Sequence, residues 1–258
     1  MIRIEIVNGL KLACWVNRRE WQAPNKTLVF LHGSGGDHSV WLHQCAAFRH
    51  SFNIAALDLP GHGRSEGRGE QDIAAYVEWV RQIIGGMDVA APVMIGHSLG
   101  AAVALAYALT YGDSLAGIVP VGGGAAMPVN QAILDGLKTD PAMVIAMAAK
   151  IALAKSNRDR LSDTLTKSMS AVSPDVLYGD FLACAGHDVT ATVSRIRVPT
   201  LVICGDEDKM TPVAMSQHLK DNIPGAQLAL IRNAGHFAML ENVEAFNRSL
   251  GTFVESLP

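Results

Sequence analysis

The sequence predicts an α/β fold with a mostly parallel sheet. Short apolar runs recur along the chain, helical patterns separate most of them, and an Asn-Gly turn joins two alternating runs at the N-terminus. The opening runs, Ile2–Val7 and Lys11–Val16, flank Asn8-Gly9, a strong hairpin signal. Thr27–Leu31, Asn53–Leu57, Pro92–Ile95, Gly117–Val121, Thr200–Cys204 and Gln227–Ile231 then read as strands buried on both faces of a parallel sheet. With the hairpin they make an eight-stranded sheet. Helical patterns cover Ser39–Phe48, Gln71–Ile84, Leu99–Tyr111, Pro212–Asn222 and Asn242–Ser256.

The alternation breaks once. Between Val121 and Val198 no convincing strand occurs; Gln131–Lys138, Ala142–Lys155, Arg158–Ala171 and Asp175–Ala185 read as helices. A crossover needs far less chain. The expected organisation is therefore a core of residues 1–124 and 195–258 with an inserted helical cap, 125–194, over the carboxyl edge of the sheet. The Ala- and Met-rich stretch Ala142–Lys155 has a broad apolar face suited both to packing on the core and to lining a pocket.

Composition narrows the function. The 258 residues are 49% hydrophobic and 17% charged, which suits one large domain or one with a sizeable insertion. A net charge of −3 and the lack of a Lys/Arg-rich run give nucleic-acid binding no electrostatic support. No stretch of about 18 uncharged apolar residues suggests a membrane span. Met1–Ile6 alternates like a strand rather than a signal peptide, so the cytoplasm is the default compartment. Cys14, Cys45, Cys184 and Cys204 are widely spaced without C-x-x-C and read as small buried thiols. No histidine or cysteine pair has metal-ligand spacing in a matching context, so no metal is expected.

Gly96-His97-Ser98-Leu99-Gly100 spells G-x-S-x-G between an apolar run and an Ala-rich helix, the strand–turn–helix context of a nucleophile elbow. A serine hydroxyl needs a base in reach, and the base needs an orienting partner. Asn233-Ala234-Gly235-His236-Phe237 follows the last strand and would put an imidazole at the edge where Ser98 sits. Asp206, Glu207 and Asp208, after the preceding strand, are the candidate orienters.

These motifs resemble those of the α/β-hydrolases, in the capped branch that includes esterases, lactonases and haloperoxidases. His32-Gly33-Ser34-Gly35 resembles the oxyanion loop, and Asp58–Ser65 resembles the D-x-P-G-x-G-x-S turn. Gly96–Gly100 matches the elbow, Gly205-x-x-Asp208 with Pro212 the acid turn, and Asn233-x-Gly235-His236 the histidine loop. The likeness covers nearly the whole chain outside the inserted segment, and implies a Ser98–His236–Asp208 triad, the family spacing choosing Asp208 among the three acids. It implies an oxyanion hole from the Ser34 and Leu99 amides. His97 should pack beside the elbow, His32 should order the oxyanion loop, and His62 should serve the Asp58–Ser65 turn. His38, His43, His50 and His218 read as surface or helix-face residues. His187 also reads as a surface residue, though close enough to the pocket to watch.

The implied function is hydrolysis of a carboxylic ester or lactone through an acyl-enzyme, without a cofactor. The partner is a small, mostly apolar substrate, with Phe237, Gly33 and His97 as substrate-binding candidates. Met127, Met143, Met147, Met210 and Met239 lie in segments that could also face it. Lys155, Arg158 and Arg160 read as solvated, leaving no arginine clamp for an anionic substrate. Runners-up on the same triad are carbon–carbon hydrolysis of dienone acids and perhydrolase or haloperoxidase-like activity. A ligand receptor on the same scaffold is the alternative of another class. Epoxide hydrolases and haloalkane dehalogenases are disfavoured because they place Asp at the elbow. Homo-oligomer formation and the natural substrate stay open.

Overall fold

A computed structural model describes residues 1–18, 20–23 and 25–258. Its single sheet has eight strands: β1 (Ile2–Val7), β2 (Leu10–Val16), β3 (Thr27–Leu31), β4 (Asn53–Leu57), β5 (Val93–His97), β6 (Gly117–Val121), β7 (Leu201–Gly205) and β8 (Gln227–Ile231). Their spatial order is β1-β2-β4-β3-β5-β6-β7-β8. β2 pairs antiparallel with β1 and β4, and every other neighbour is parallel. Asn8 and Gly9 take φ of 51° and 80°, the left-handed values a two-residue hairpin turn requires.

Strands β3 to β7 are buried on both faces, as a parallel sheet between helical layers demands. β8 departs from that expectation: it is an edge strand, half covered, with Leu230 exposed. Pro120 sits inside a central strand, where a missing donor is normally excluded. Ile118 and Gly122 donate across to Pro199 and Ile203, each at 2.9 Å. Pro120, midway, would donate in the same direction, so its missing N–H leaves a gap in the β6–β7 ladder. That ladder keeps one strand pair, Val121 with Ile203, and an isolated bridge between Ile118 and Thr200.

The helices lie where the periodicity puts them, within a few residues, except for a short one at Ala238–Glu241 for which the sequence carries no expectation. They are α1 (Leu42–Phe48), α2 (Ile73–Gly86), α3 (Leu99–Tyr111), α4 (Gln131–Thr139), α5 (Pro141–Ala152), α6 (Arg158–Ser170), α7 (Pro174–Gly186), α8 (Val213–Asn222), α9 (Ala238–Glu241) and α10 (Val243–Ser256). The stretch expected as one helix from Ser39 divides into a 3-10 turn, His38–Trp41, and α1. α2 starts after Asp72, whose carboxylate accepts from the Ala74 and Ala75 amides and caps its N-terminus.

Helices α4 to α7 leave the sheet after β6 and return before β7. Ala126 and Asp188 form an antiparallel bridge at the base of this insertion, and Val189 N–H donates to Ala125 O at 2.7 Å. Leu134, Leu137, Val144, Ile145, Met169, Leu177 and Phe181 form the insertion's own small core. α7 packs on α3 and α2, joining the insertion to the sheet layers.

Between β5 and α3 the chain turns at Ser98, with φ 53° and ψ −112°. A Cβ on Gly96 would come 2.0 Å from Gly100 O, so only glycine admits this turn. A non-glycine residue in that φ region is strained by about 1–3 kcal/mol, which the surrounding packing must hold. Gly96→Ala should therefore cost on the order of 3 kcal/mol or more of stability, through forced backbone displacement. Urea denaturation checks this, and a loss below about 1 kcal/mol would contradict the steric account.

Candidate active site

Ser98, His236 and Asp208 come from three separate loops at the carboxyl ends of β5, β8 and β7. Ser98 is the residue between strand and helix, and its N–H donates to Val121 O at 2.9 Å, which anchors the turn on β6. His236 Nδ1 donates to Asp208 Oδ2 at 2.9 Å. Asp208 also accepts the Met210 and Thr211 amides, each at 2.9 Å, and the Thr211 hydroxyl at 2.8 Å. Burial pushes the Asp208 carboxyl up, but His236, the hydrogen bond to it and Thr211 outweigh burial and hold it below the usual carboxylate range. Asp206 and Glu207 are exposed, so geometry agrees with the family spacing in singling out Asp208.

Ser98 and His236 face one cavity of about 460 Å³. Among the described residues no hydrogen bond joins the Ser98 hydroxyl to the imidazole in this resting arrangement; such bonds often tighten only when substrate is bound. Ser34 also lines the cavity, whereas the Leu99 side chain lies in the core and its amide opens α3. At the first position of a helix that N–H has no intrahelical acceptor. Neither the Ser34 nor the Leu99 amide has a hydrogen-bond partner among the described residues.

His97 lies under the imidazole, with ring centroids 4.7 Å apart, and equally close to Phe237. Its Nε2–H donates to His236 O at 3.0 Å, which fixes the tautomer and leaves Nδ1 bare. Burial, with His236 beside it, drives the His97 pKa well below the ordinary value, so the ring is neutral. His97 and Phe237 line the cavity; Gly33, the third substrate-binding candidate, does not. The reason is steric: a Cβ on Gly33 would meet His97 Nδ1 at 2.7 Å and Ser98 Cβ at 3.0 Å, so Gly33 is packed behind the wall.

The cavity is predominantly apolar. Met127, Met147 and Met210 line it, as expected, and Met169, Met215 and Phe181 join them. Met143 points to solvent and Met239 is core. Among the described residues Lys209 is the one lysine or arginine on the wall, and it is exposed. His187 is buried rather than on the surface, but does not reach the cavity. His38 is half-buried: its amide and its Nδ1 both bond to Asp58, and its pKa is raised chiefly by that bond. Arg160 is not merely solvated, since it donates to the carbonyls of Leu240 and Glu241. All four cysteines are free and buried.

Two contributors were missed in the sequence. Thr211 bridges the pair, its hydroxyl 3.2 Å from His236 Nδ1 while donating to Asp208. Glu241, buried on α9, accepts the Gly235 and Phe237 amides on either side of His236 at 2.9 and 3.2 Å. Its other oxygen accepts Ala154 N–H at 2.8 Å and Asn157 Nδ2 at 3.1 Å, tying the histidine loop to the end of α5. A Glu four residues beyond a Gly-His-Phe carries no sequence signal for this, because two of its donors are nearby backbone amides, which any sequence provides, and the other two lie more than 80 residues away. Glu241→Gln would turn an amide NH2 toward donors and should cost about 2–3 kcal/mol. Urea denaturation measures that loss, and an unchanged midpoint would refute the four-donor arrangement.

A sequence model of the alpha/beta hydrolase family matches residues 28–249. The 2-hydroxy-6-oxononadienedioate/2-hydroxy-6-oxononatrienedioate hydrolase of Paraburkholderia phymatum is 26% identical over 270 residues, 93% of this chain and 90% of that protein. The enol-lactonase from Burkholderia xenovorans LB400 superposes with a TM-score of 0.91 at 21% identity, over 98% of this chain and 100% of that one. A thermophilic esterase superposes at 0.84 with 29% identity, over 99% and 97%. The chain belongs to the alpha/beta hydrolase family.

Proposed function

We propose that the protein hydrolyses a carboxylic ester or lactone with an apolar body, through an acyl-enzyme on Ser98. The observation that carries this reading is the convergence, on one apolar cavity, of a serine at a strained strand–helix turn and an imidazole held by a buried carboxylate. Ser98 Oγ attacks the carbonyl carbon while His236 Nε2 takes its proton. Asp208 holds Nδ1 protonated, so Nε2 is the free base, and stabilises the imidazolium that forms. The Ser34 and Leu99 amides receive the oxyanion. His236 then protonates the leaving alcohol and activates the water that frees the acid. None of these steps calls on a cofactor or a metal.

Segment 125–194 acts as the cap, its apolar lining selecting the substrate, while 1–124 and 195–258 carry the chemistry. Phe237 and His97 form the floor beside the base. The dienedioate named for the Paraburkholderia relative would here meet, among the described residues, one lining lysine or arginine, the exposed Lys209, in a mostly apolar cavity, which favours a neutral ester. The reading expects a cytoplasmic protein and leaves homo-oligomer formation open.

Wild-type protein should hydrolyse p-nitrophenyl butyrate and take a fluorophosphonate label on Ser98. Ser98→Ala should lose at least about 10³-fold in kcat and all labelling. Labelling without turnover of any ester or lactone would favour the receptor alternative; turnover surviving in Ser98→Ala would end the serine mechanism. Asp208→Asn should lower kcat by about 10³–10⁴-fold with KM little changed, since the wrong imidazole tautomer is then favoured. Steady-state kinetics at several pH values separates that loss from a binding defect.

A further inference from the structure

Asp180, on α7 of the insertion, belongs to none of the sequence motifs and is fully buried. Its Oδ2 accepts the Gly35 amide at 3.1 Å and His62 Nε2–H at 2.9 Å, and its Oδ1 accepts the Tyr76 hydroxyl at 2.5 Å. These donors come from three places: the loop after β3, the turn after β4, and α2. Gly35 follows Ser34, so the carboxylate grips the peptide next to the amide assigned to the oxyanion. His32 grips the same loop from the other side, its Nδ1–H donating to Gly33 O at 2.8 Å and its Nε2 accepting Leu59 N–H at 3.0 Å.

The protonation of His62 follows from its partners. Nε2 faces the Asp180 carboxylate, and Nδ1 faces Pro60 O at 3.0 Å. A carbonyl and an ionised carboxylate can only accept, whereas a neutral imidazole has one N–H. With the carboxylate ionised, both bonds together call for an imidazolium. Around the ring stand Asp180 from α7, with Tyr76 from α2 behind it, and His32 from the end of β3 at 4.8 Å between centroids. Its own turn adds Asp58 and the Pro60 carbonyl. Burial lowers the His62 pKa, but Asp180, Pro60 and Asp58 outweigh burial and leave it above the ordinary value. Burial, with His62 nearby, takes His32 down to about 4, so the neighbouring ring adds no competing charge.

We propose that Asp180 is a positioning residue for the reaction: with the His62 imidazolium as counter-ion, it fixes the Gly35 peptide and so aims the Ser34 amide at the oxyanion. The proposal rests on the ester-hydrolase reading above. A buried ion pair is weak evidence for stability in itself, because desolvation consumes much of its attraction. What this pair delivers is geometry, a fixed peptide one residue from the cavity wall, supplied by the same insertion that shapes the cavity.

The test combines kinetics on p-nitrophenyl butyrate with NMR of the intact protein. Asp180→Asn should lower kcat by about tenfold or more while KM stays within about threefold, the signature of a loss confined to the transition state. Its Gly35 amide should exchange faster than in wild type. In wild type, the His62 ring nitrogens should report two N–H groups at pH 7, and kcat should fall as pH rises through the His62 pKa. His62→Gln, which keeps a donor toward Asp180 but does not titrate, should hold more activity than Asp180→Asn and lack that alkaline fall. A neutral His62 at pH 7, or a folded Asp180→Asn with unchanged kcat and unchanged exchange, overturns the proposal. If Asp180→Asn does not fold, His62→Gln and the wild-type imidazole signals decide by the same outcomes. Wild-type protein without ester turnover marks failure of the reaction reading instead, and the exchange and imidazole data then decide the Asp180 assignment alone.

Discussion

Loops at the carboxyl edge of a parallel sheet leave backbone N–H groups with no ladder to join, and here buried carboxylates accept them. Among the described residues Asp58, Asp180, Asp208 and Glu241 are the buried acids, and each takes at least one loop amide. Asp58 closes the turn after β4 by accepting the amides of His38 and Arg64. Asp208 shapes the acid turn through Met210 and Thr211 before it orients His236. Glu241 pins the residues either side of that histidine, and Asp180 pins the loop that carries Ser34. Hydrogen bonds to a charged acceptor contribute about 1.5–3 kcal/mol each, and an unsatisfied buried donor costs a similar amount, so each acid makes its loop conformation far better than the alternatives. The reactive groups are thus held by charge placed beneath them rather than by the strands alone.

The histidines around the site divide by the acceptors they face. His62 faces the Pro60 carbonyl at one nitrogen and the Asp180 carboxyl at the other, and its pKa lies above the ordinary value. His32 meets one donor and one acceptor and is neutral. His97 donates to His236 O and leaves its other nitrogen bare beside Gly33. Its neutrality matters to the proposed chemistry, because a second cation 4.7 Å from His236 would oppose the imidazolium that must form there. An apolar enclosure keeps His97 uncharged at no cost to the base.

The alternation of apolar runs with helical patterns was legible because strands buried on both faces and amphipathic helices leave periods that sequence preserves. Thr27–Leu31, Asn53–Leu57 and Gly117–Val121 keep their expected bounds, and the helix opening at Leu99 does too. β8 was read as fully buried because its residues are apolar; its edge position, which exposes Leu230, depends on strand order, and no local pattern reports that. Ser98, Asp208 and His236 announce themselves because each sits in a turn whose steric needs dictate glycine or proline neighbours. Asp180, Glu241 and Thr211 do not, since each takes at least one partner far along the chain, 145 residues for Asp180 with Gly35, 87 for Glu241 with Ala154 and 25 for Thr211 with His236. A carboxylate that serves distant amides looks locally like any helix-face acid, and the burial of His187 likewise depends on packing that no local pattern reports.

The insertion links these two kinds of information. It supplies Met127, Met147, Met169 and Phe181 to the cavity wall, flexible thioethers and a ring that can conform to irregular apolar groups. It also supplies Asp180 to the Ser34 loop and the Ala154 amide to Glu241 beneath the histidine loop. A change in how these helices sit would therefore alter the pocket and the positions of both reacting loops together. On the proposed reading, substrate selection and chemical competence are mechanically joined on this scaffold. On that reading a substitution in α5 or α7 that reshapes the pocket should change turnover as well as affinity, even where it touches no reacting atom.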